Sequence, residues 1–451
     1  MKDPAARRAL TGARDLLPLA AAYPQRYPCL LESAAPSAQS RYDILLAFPR
    51  DALMLHADGR VRDAAGNDRG EDFLGALDAA FNAERVAHGA NALFSGGWAL
   101  FLGYELAAQI EPGLRLPPAP DAGIPVALAV RCPAAIIVDR LARTTHLVAE
   151  PDCAGLLDRL ARDLESAPAF SPAPIAAAQV EEDDPQRFLD GVARIHEHLR
   201  DGDTYQINLS REWRLRCANA PAPASLYASL RRANPAPFAG LLQCDDWAIA
   251  SSSPERLIEV RDGVAQTRPI AGTRPRLAGD DDAARMRELI AHPKERAEHV
   301  MLLDLERNDL GKICESGSVA VDELMTVESY AHVHHIVSNV RGRLRGGTTP
   351  GEAIRAVYPG GTITGCPKVR SMQIISELEG VGRGAYTGAL GYLDRNGNMD
   401  LNILIRTLTL HDDLIRLRAG AGVVADSDAQ RELSETRAKA RGLLRALGVA
   451  G

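Results

Sequence analysis

The sequence predicts an α+β protein built on large antiparallel β-sheets, and three observations support this fold class. Asp262-Gly263 and Asn396-Gly397 each separate two β-type runs, which is a strong signal for a hairpin turn. Apolar residues recur at helical spacing elsewhere, as in 188–199. Strand-like and helix-like runs do not alternate with the regular spacing of βαβ units. A doubly wound α/β fold is the weaker alternative.

The order of the elements indicates two regions and a connector. Short β-type runs dominate before residue 166, as in 42–48 and 124–130. Residues 166–185 combine four prolines with alanines and an acidic run, which is typical of an exposed connector. We therefore divide the chain into an N-terminal region 1–165, a connector 166–185 and a C-terminal region 186–451.

Hairpins and helices continue through the C-terminal region. The predicted strands are 247–251, 257–260, 264–267, 388–393, 400–410 and 414–424, of which the last three form an antiparallel meander. The predicted helices are 188–199, 293–305, 369–378 and 430–447. Pro293 suits the first position of its helix, where no backbone N–H is needed.

Composition excludes several classes of protein. The chain has 451 residues, 46% of them hydrophobic, which excludes wholesale disorder and supports a large core. Its net charge of −7 argues against nucleic acid binding through a general basic surface. The seven cysteines are scattered and never form a Cys-x-x-Cys pair, so we expect neither a disulfide framework nor a zinc site. No signal peptide or membrane-spanning stretch is evident, and we expect a cytoplasmic protein.

Two predicted helices place glutamates on one face. Glu295 and Glu298 are three residues apart, as are Glu432 and Glu435, and Lys439 follows Glu435 by four. One interpretation is two solvated helix faces with ordinary ion pairing. The other is that the helices converge and that their carboxylates hold Mg²⁺, which prefers a few carboxylate oxygens and completes its octahedron with water or substrate. Spacing alone leaves both open.

Two glycine-containing segments could offer backbone amides to an anion. The run 359–368 contains Thr364 and Gly365 and leads into a predicted helix, whose N-terminus attracts anions. Gly420-Ala421-Gly422 ends the meander. A tight structural turn and a plain strand end are the alternatives.

Several polar residues lie in otherwise apolar runs. Arg406 needs an anion or an ion-pair partner, and a bidentate carboxylate suits its guanidinium. Tyr386 could donate its hydroxyl, His335 could serve as an acid–base group, and Glu255 could be a general acid if it is buried near a leaving group. Each of them has a purely structural alternative, as a core tyrosine, a satisfied strand histidine or the partner of Arg256.

Taken in order, eight segments between residues 185 and 450 resemble the chorismate-utilising enzymes. They are 202–210 (GDTYQINLS), 253–256 (SPER), 268–276 (RPIAGTRPR), 296–301 (RAEHVM), 305–309 (LERND), 365–370 (GCPKVR), 405–407 (IRT) and 420–424 (GAGVV). Chance agreement of so many ordered blocks is not credible. The resemblance implies a sandwich of two large sheets with helices outside, in which both regions interleave.

The resemblance also assigns roles to residues. It implies that Glu298 and Glu435 hold Mg²⁺, with Glu295 and Glu432 behind them or acting through water. It implies that Arg406 and Tyr386 bind the enolpyruvyl carboxylate of chorismate and that Glu255 is the general acid. His335 would lie beside the ring and Lys439 near the metal-bound carboxylate. The remaining substrate-binding residues by resemblance are Thr364, Gly365, Gly420, Ala421, Gly422, Gly272 and Thr273.

Gln206 distinguishes two branches of the family. Members that add water to the ring use a lysine base where this chain has Gln206, and an amide cannot deprotonate water at neutral pH. The resemblance therefore favours a branch that uses ammonia. No cysteine stands in a Gly-x-Cys-x-Gly elbow, so ammonia is expected from a separate glutamine amidotransferase subunit or from solution.

Within that branch, the resemblance favours aminodeoxychorismate synthase component I over anthranilate synthase component I. The segments 40–44 (SRYDI) and 96–104 (GGWALFLGY) look like the former, as does 362–365 (TITG), and the chain is short for the latter. Ala271 departs from this pattern: it replaces a lysine thought to attack the ring, so no lysine-bound intermediate can form there. The expected product is 4-amino-4-deoxychorismate, with anthranilate as the alternative.

A third hypothesis is a binding protein without catalytic activity. Residues 30–33 (LLES) resemble the tryptophan-binding element of the family. Tryptophan is therefore a possible ligand of the N-terminal region, and a plain strand end is the alternative.

Overall fold

The computed structural model describes residues 5–35, 41–87, 94–275, 293–329 and 333–449. Side chains at 271–275, 293–295, 329, 333 and 334 are outside this description. Among the predicted site residues, Gly272, Thr273 and Glu295 are therefore located only by their backbone.

The described strands are β1 (Ala6–Thr11), β2 (Cys29–Glu32), β3 (Tyr42–Ala47), β4 (Asp51–Leu55), β5 (Val61–Asp63), β6 (Gly97–Leu102), β7 (Ala127–Cys132), β8 (Ala134–Asp139), β9 (Thr144–Ala149), β10 (Ala177–Glu182), β11 (Gln206–Cys217), β12 (Phe238–Gln243), β13 (Trp247–Ser253), β14 (Arg256–Arg261), β15 (Val264–Arg268), β16 (Ile270–Pro275), β17 (Ala320–Ser329), β18 (Val333–Arg343), β19 (Gly365–Cys366), β20 (Ala389–Asp394), β21 (Met399–Ile403), β22 (Thr407–His411) and β23 (Leu414–Val423).

The described α-helices are α1 (Leu17–Ala22), α2 (Phe73–Glu84), α3 (Ala107–Ile110), α4 (Leu156–Ser166), α5 (Pro185–Asp201), α6 (Pro223–Ala233), α7 (Pro293–Gly311), α8 (Pro350–Val357), α9 (Lys368–Glu379) and α10 (Ala429–Ala446). Within the described ranges, no helix is both long and apolar enough to cross a bilayer.

Two large antiparallel sheets form the frame. One has twelve described strands in the order β1-β9-β8-β3-β2-β12-β13-β22-β23-β11-β10, with β19 on β11. The other has eleven, in the order β16-β18-β15-β14-β21-β20-β6-β7-β4-β5, with β17 on β18. Each sheet mixes strands from before and after the predicted connector, so the two regions interleave. The predicted α+β class with large antiparallel sheets is confirmed.

The sheets pack face to face. Phe101 of β6 and Trp247 of β13 come from different sheets, and their rings lie 5.9 Å apart, in the range of aromatic packing. Leu390 of β20 and Ile249 of β13 belong to the same buried cluster. Helices α1, α4, α6 and α10 cover the outer face of the twelve-stranded sheet, and α2, α7 and α8 cover the other sheet. Burial on both faces explains the largely apolar strands.

The sequence located the hairpins well. The loop Asp262-Gly263 joins β14 to β15, and both of its residues have positive φ (51° and 76°), as a two-residue hairpin turn requires. Two boundaries differ from the predictions. Helix α7 continues to Gly311 instead of ending at 305, and the connector contains strand β10, which pairs with β11 at a sheet edge.

The predicted strand 400–410 is wrong. It consists of two strands in different sheets, β21 and β22, separated by three residues. Arg406 therefore lies at the crossing between the sheets rather than inside a strand, with a left-handed φ of 54°. Uniform apolarity hid this crossing, because both strands are buried on both faces.

Candidate active site

Strand β11 begins between the two glycine segments singled out by the sequence. Gln206 and Ile207 pair with Cys366 and Gly365 of β19 on one edge, and Ile207 and Asn208 pair with Val423 and Gly422 of β23 on the other. Strand β22 pairs with β23 only as far as Leu417. Among the described strands, the backbone of 420–422 consequently has a partner on one side only.

Gln206 connects helix α7 to this strand end. Its Nε2 donates a hydrogen bond of 2.9 Å to Oε1 of Glu298. A Cβ atom placed on Gly422 would lie 2.5 Å from the same Nε2, so the amide fits only because residue 422 is glycine. The Oε1 atom of Gln206 is buried and has no hydrogen-bond partner among the described residues. An acceptor is thus available to a ligand that carries N–H or O–H.

Helix α10 reaches the same strand end. Lys439 Nζ donates to the carbonyl oxygen of Gly420 at 2.9 Å and lies 2.5 Å from Oε1 of Glu435. Gly420 and Gly422 are only about 7 Å apart along an extended strand. Glu298 and Glu435 are therefore each linked through one intermediate side chain to the same short stretch of β23, as the convergence hypothesis requires.

Arg406 faces this region from the crossing between the two sheets. It is partly buried, and its guanidinium forms no hydrogen bond or ion pair with the described residues. Burial lowers the pKa of Arg406, and the carboxylates of Glu435 and Glu255 and the hydroxyl of Tyr386 are close enough to oppose that shift. A partly buried guanidinium without a partner favours an anionic ligand.

The Tyr386 hydroxyl lies close to Gly420 of β23, on the side of the strand where glycine carries no side chain. A Cβ atom on Gly420 would lie 2.8 Å from the Tyr386 hydroxyl and 2.5 Å from Oδ1 of Asn208. Asn208 Oδ1 is buried without a partner in the described part of the chain. Sequence reasoning missed Asn208, although its spacing of two from Gln206 puts both on one face of β11.

Glu255 is a buried carboxyl at the entry to β14. It is 4% exposed, and Oε1 accepts a long hydrogen bond of 3.4 Å from the Ile270 amide. Burial raises its pKa to about 7, an effect that nearby Arg406 and Lys439 partly oppose. A carboxyl that holds a proton near neutral pH can serve as a general acid.

Thr364 and Gly365 line the base of the site mainly through backbone. The Thr364 side chain is fully buried, and its hydroxyl donates to the carbonyl oxygen of Gly360 at 3.0 Å. The hydroxyl hydrogen of Thr364 is therefore already engaged in a hydrogen bond within the loop. Gly365 pairs with Ile207. The Ala421 side chain lies in an apolar cluster with α5 and α9, which leaves its backbone as its contribution to a ligand site.

The other predicted residues are located less completely. His335 is buried in β18, opposite Thr273 of β16, where Gly272 forms an irregularity in the register. Glu295 occupies the first turn of α7, outside the described side chains. Among described residues, the ligand oxygens of Glu298, Glu432 and Glu435 are not gathered within 4.8 Å of one another.

A buried ion-pair network beneath Tyr386 was not anticipated. Glu379 at the end of α9 accepts bonds from Arg383 at 2.7 Å and from Arg418 at 3.0 Å, and all three residues are almost fully buried. Arg383 also donates to the Asn208 carbonyl oxygen at 2.7 Å. Glu379 and Arg383 are four residues apart, and this spacing is only a weak indication of an ion pair in the sequence. The network fixes β11 and β23 relative to the 383–386 segment that carries Tyr386.

A second cavity lies away from this site, between the sheets. Its volume is about 210 Å³, and Leu31, Glu32 and Ser33 of the LLES segment line it, together with Tyr392. The Glu32 carboxylate is engaged inside the protein, by the Tyr227 hydroxyl at 2.7 Å and by Arg231 at 3.1 Å.

Comparison with known proteins gives matches along most of the chain. A family model described as chorismate binding enzyme matches residues 27–445. The chain is 40% identical over 359 residues to the anthranilate synthase component I-like protein of Synechocystis sp., covering 78% of this chain and 73% of that protein. It is 39% identical over 379 residues to anthranilate synthase component 1 of Pseudomonas putida, covering 79% and 76%. The crystal structure of anthranilate synthase component I from Streptococcus pneumoniae matches with a TM-score of 0.81 at 31% identity, covering 90% of this chain and 93% of that one.

Proposed function

The chain belongs to the chorismate-binding enzymes, and on that premise we propose that it aminates the chorismate ring with ammonia. The observation that carries this proposal is Gln206. Its amide is held by Glu298 through Nε2, and its buried Oε1 is left as an acceptor for an N–H of ammonia. Neither atom can act as a base toward water at neutral pH, which favours amination over hydration.

Arg406 and Tyr386 bind the enolpyruvyl carboxylate in this proposal. The Arg406 guanidinium has no hydrogen-bond or ion-pair partner among the described side chains. The Tyr386 hydroxyl lies nearby, beside Gly420 of β23. A carboxylate placed there removes the cost of a buried unpaired cation. The backbone of 420–422 and the 364–365 segment complete the walls.

Glu255 acts as the general acid. Hydroxide is a poor leaving group, so the hydroxyl that departs from the ring needs a proton. Burial keeps that proton on Glu255 near neutral pH, and Arg406 and Lys439 moderate its affinity. The C–O bond breaks as the C–N bond forms, the proton of Glu255 leaves with the departing hydroxyl as water, and the new ammonium group releases a proton.

The donor set of the two helices fits Mg²⁺. Glu298 and Glu435 offer carboxylate oxygens, each held by a side chain that contacts 420–422, and Glu295 and Glu432 stand three residues before them. When bound, the ion would neutralise the ring carboxylate of the substrate against these glutamates. Substrate oxygens would complete its coordination, because the described glutamates do not by themselves form a three-carboxylate cluster.

Two products are possible, and different observations favour each. Relatives named anthranilate synthase component 1, at about 40% identity over most of the chain, favour anthranilate. The segments 40–44, 96–104 and 362–365 favour 4-amino-4-deoxychorismate. We place anthranilate first, because whole-chain similarity averages over more residues than three short motifs. For that product, the aminated ring must then lose a ring proton and its enolpyruvyl group, which leaves as pyruvate and makes the ring aromatic.

Identification of the reaction product tests both candidate activities. Chorismate, Mg²⁺ and ammonium are incubated with the protein, and the products are separated by chromatography and read by mass and fluorescence. Anthranilate or 4-amino-4-deoxychorismate supports amination and decides between the candidates. Isochorismate as the main product contradicts amination, and absence of any chorismate turnover supports a binding protein without activity.

Two ligands follow from the same resemblance. A glutamine amidotransferase subunit would supply ammonia, which co-purification and glutamine-dependent turnover test. Tryptophan would occupy the cavity lined by Leu31 and Ser33. Calorimetry with tryptophan tests that proposal, and a matched titration with the Leu31→Arg variant shows whether binding occurs in this cavity.

A further inference from the structure

Glu306 is a buried carboxyl that the mechanism above does not use. It lies on α7, eight residues after Glu298, and is 7% exposed. Within the described part of the chain, no arginine, lysine or histidine nitrogen forms an ion pair with it, and the same holds for Glu255. An ionised carboxylate buried without a cationic partner is costly, so such a group tends to keep a proton.

The two carboxyls are held between the same two backbone segments. Oε1 of Glu306 lies 3.5 Å from the position of a Cβ on Gly361, and the next residue, Thr362, faces the Glu255 carboxyl. On the other side, Thr267 faces Glu306, and the Ile270 amide donates to Glu255. Glu306 and Glu255 therefore adjoin the same two backbone segments, 267–270 and 361–362.

The charges around the pair are few. Asp309 and Lys368 face Glu306, and they form an ion pair with each other at 2.6 Å. Arg406 and Lys439 face Glu255. Burial raises the pKa of Glu306 to about 7, and the charges of Asp309 and Glu255 add to that shift. Two carboxyls that interact by more than about one pKa unit titrate as one coupled system.

We propose that Glu306 is a positioning residue that shares one proton with Glu255 and holds it there for the amination. The inference rests on the proposed function. With Glu306 ionised, its charge favours the protonated form of Glu255, which the departing hydroxyl needs. Glu255 gives this proton away as water leaves, and the proton released by the new ammonium group restores the pair.

The test compares Glu306→Gln, which cannot ionise, with Glu306→Asp, which can. The pH profile of kcat is measured at saturating chorismate and constant free ammonia. Glu306→Gln should move the alkaline pKa of kcat down by at least one pH unit, with less than a twofold change in KM, and Glu306→Asp should restore much of the profile. Asp304→Asn, at an exposed carboxylate on the same helix, should leave the profile unchanged. An alkaline pKa that does not move in Glu306→Gln overturns the proposal.

A second measurement does not depend on turnover. Infrared difference spectra across a pH titration follow the protonated carboxyl bands of the wild type, Glu255→Gln and Glu306→Gln. Replacing either residue should lower the titration midpoint of the other by at least one unit, and independent midpoints overturn the shared proton. If Glu306→Gln does not fold, the comparison of wild type with Glu255→Gln still decides. Absence of chorismate turnover in the wild type would contradict the proposed function alone.

Discussion

Gln206 and Glu298 are joined by a hydrogen bond, although they lie almost a hundred residues apart in the chain. The Gln206 amide donates to the Glu298 carboxylate at 2.9 Å, joining the start of β11 to helix α7. The same amide nitrogen lies so close to Gly422 of β23 that a Cβ atom at residue 422 would collide with it. One side chain thus connects a proposed metal ligand to the backbone that is proposed to hold the substrate, and its Oε1, which has no partner among the described residues, is the proposed acceptor for ammonia.

Adding a methyl group at Gly422 should displace this amide. In Gly422→Ala the new Cβ would lie 2.5 Å from Gln206 Nε2, which breaks the contact with Glu298 or shifts the strand. Misplacement of that size costs on the order of 10²-fold in turnover. Steady-state amination rates measure it. Gly311→Ala, where nothing lies within 4 Å of a new Cβ, should keep wild-type turnover. Equal rates in the two variants would argue against a role for the amide.

Glu255→Gln should remove the general acid without removing the fold. The amide occupies the same space but cannot donate a proton of the required acidity, so kcat should fall by roughly 10²–10⁴-fold. Rates of chorismate consumption measure the loss. Glu259→Gln, in strand β14 four residues after Glu255, is the control and should retain activity. A loss below threefold in Glu255→Gln would assign the proton to another group.

Arg406→Lys should weaken substrate binding more than catalysis. A lysine keeps the charge but loses the planar pair of donors, and hydrogen bonds to charged groups contribute about 1.5–3 kcal/mol. KM for chorismate should therefore rise about 10–100-fold, while kcat changes less. Arg437→Lys, at an exposed arginine that pairs with Glu182, should leave KM unchanged. An unchanged KM in Arg406→Lys would place the enolpyruvyl carboxylate elsewhere.

Removal of magnesium should abolish turnover reversibly. Dialysis against a chelator should stop chorismate consumption, and added Mg²⁺ should restore it. Glu298→Gln and Glu435→Gln should each raise the Mg²⁺ concentration for half-maximal activity at least about tenfold, because each removes a proposed ligand. Glu377→Gln, at an exposed glutamate of α9, should not. Full activity of the chelated protein would contradict the proposed metal site.

Glu105 should make the stability of the protein depend on pH. Burial raises its pKa to about 7 from the ordinary value of 4.5, although the amides of Arg383 and Gly384 donate to Oε1. The folded state binds more protons than the unfolded state between pH 4.5 and 7, so the free energy of unfolding falls as pH rises through that range, by up to about 3 kcal/mol.

Glu105→Gln should remove this dependence. The difference in Tm between the variant and the wild type should grow in favour of the variant from pH 5 to pH 8. Thermal unfolding at both pH values measures it, with the exposed Glu165→Gln as a control that shows no such trend. A Tm difference that is the same at both pH values would mean that Glu105 does not titrate in this range.

The sequence by itself determined the fold class, the hairpins and the chemical types present in the site. Alternation and turn residues are local, so the Asp262-Gly263 hairpin and helices such as α10 could be predicted within one or two residues. The ordered motifs gave the family, because they reflect the site as a set rather than any contact within it.

Only the tertiary structure decided which residues meet. The crossing of the chain at Arg406, the proximity of Glu306 to Glu255 and the contact of Gln206 with Glu298 all join segments that are distant in sequence or belong to different sheets. No local sequence pattern predicts such contacts, since they depend on how two large sheets pack and twist against each other. Burial follows from that packing, and burial lowers the pKa of Arg406 and brings the pKa of Glu255 to about 7.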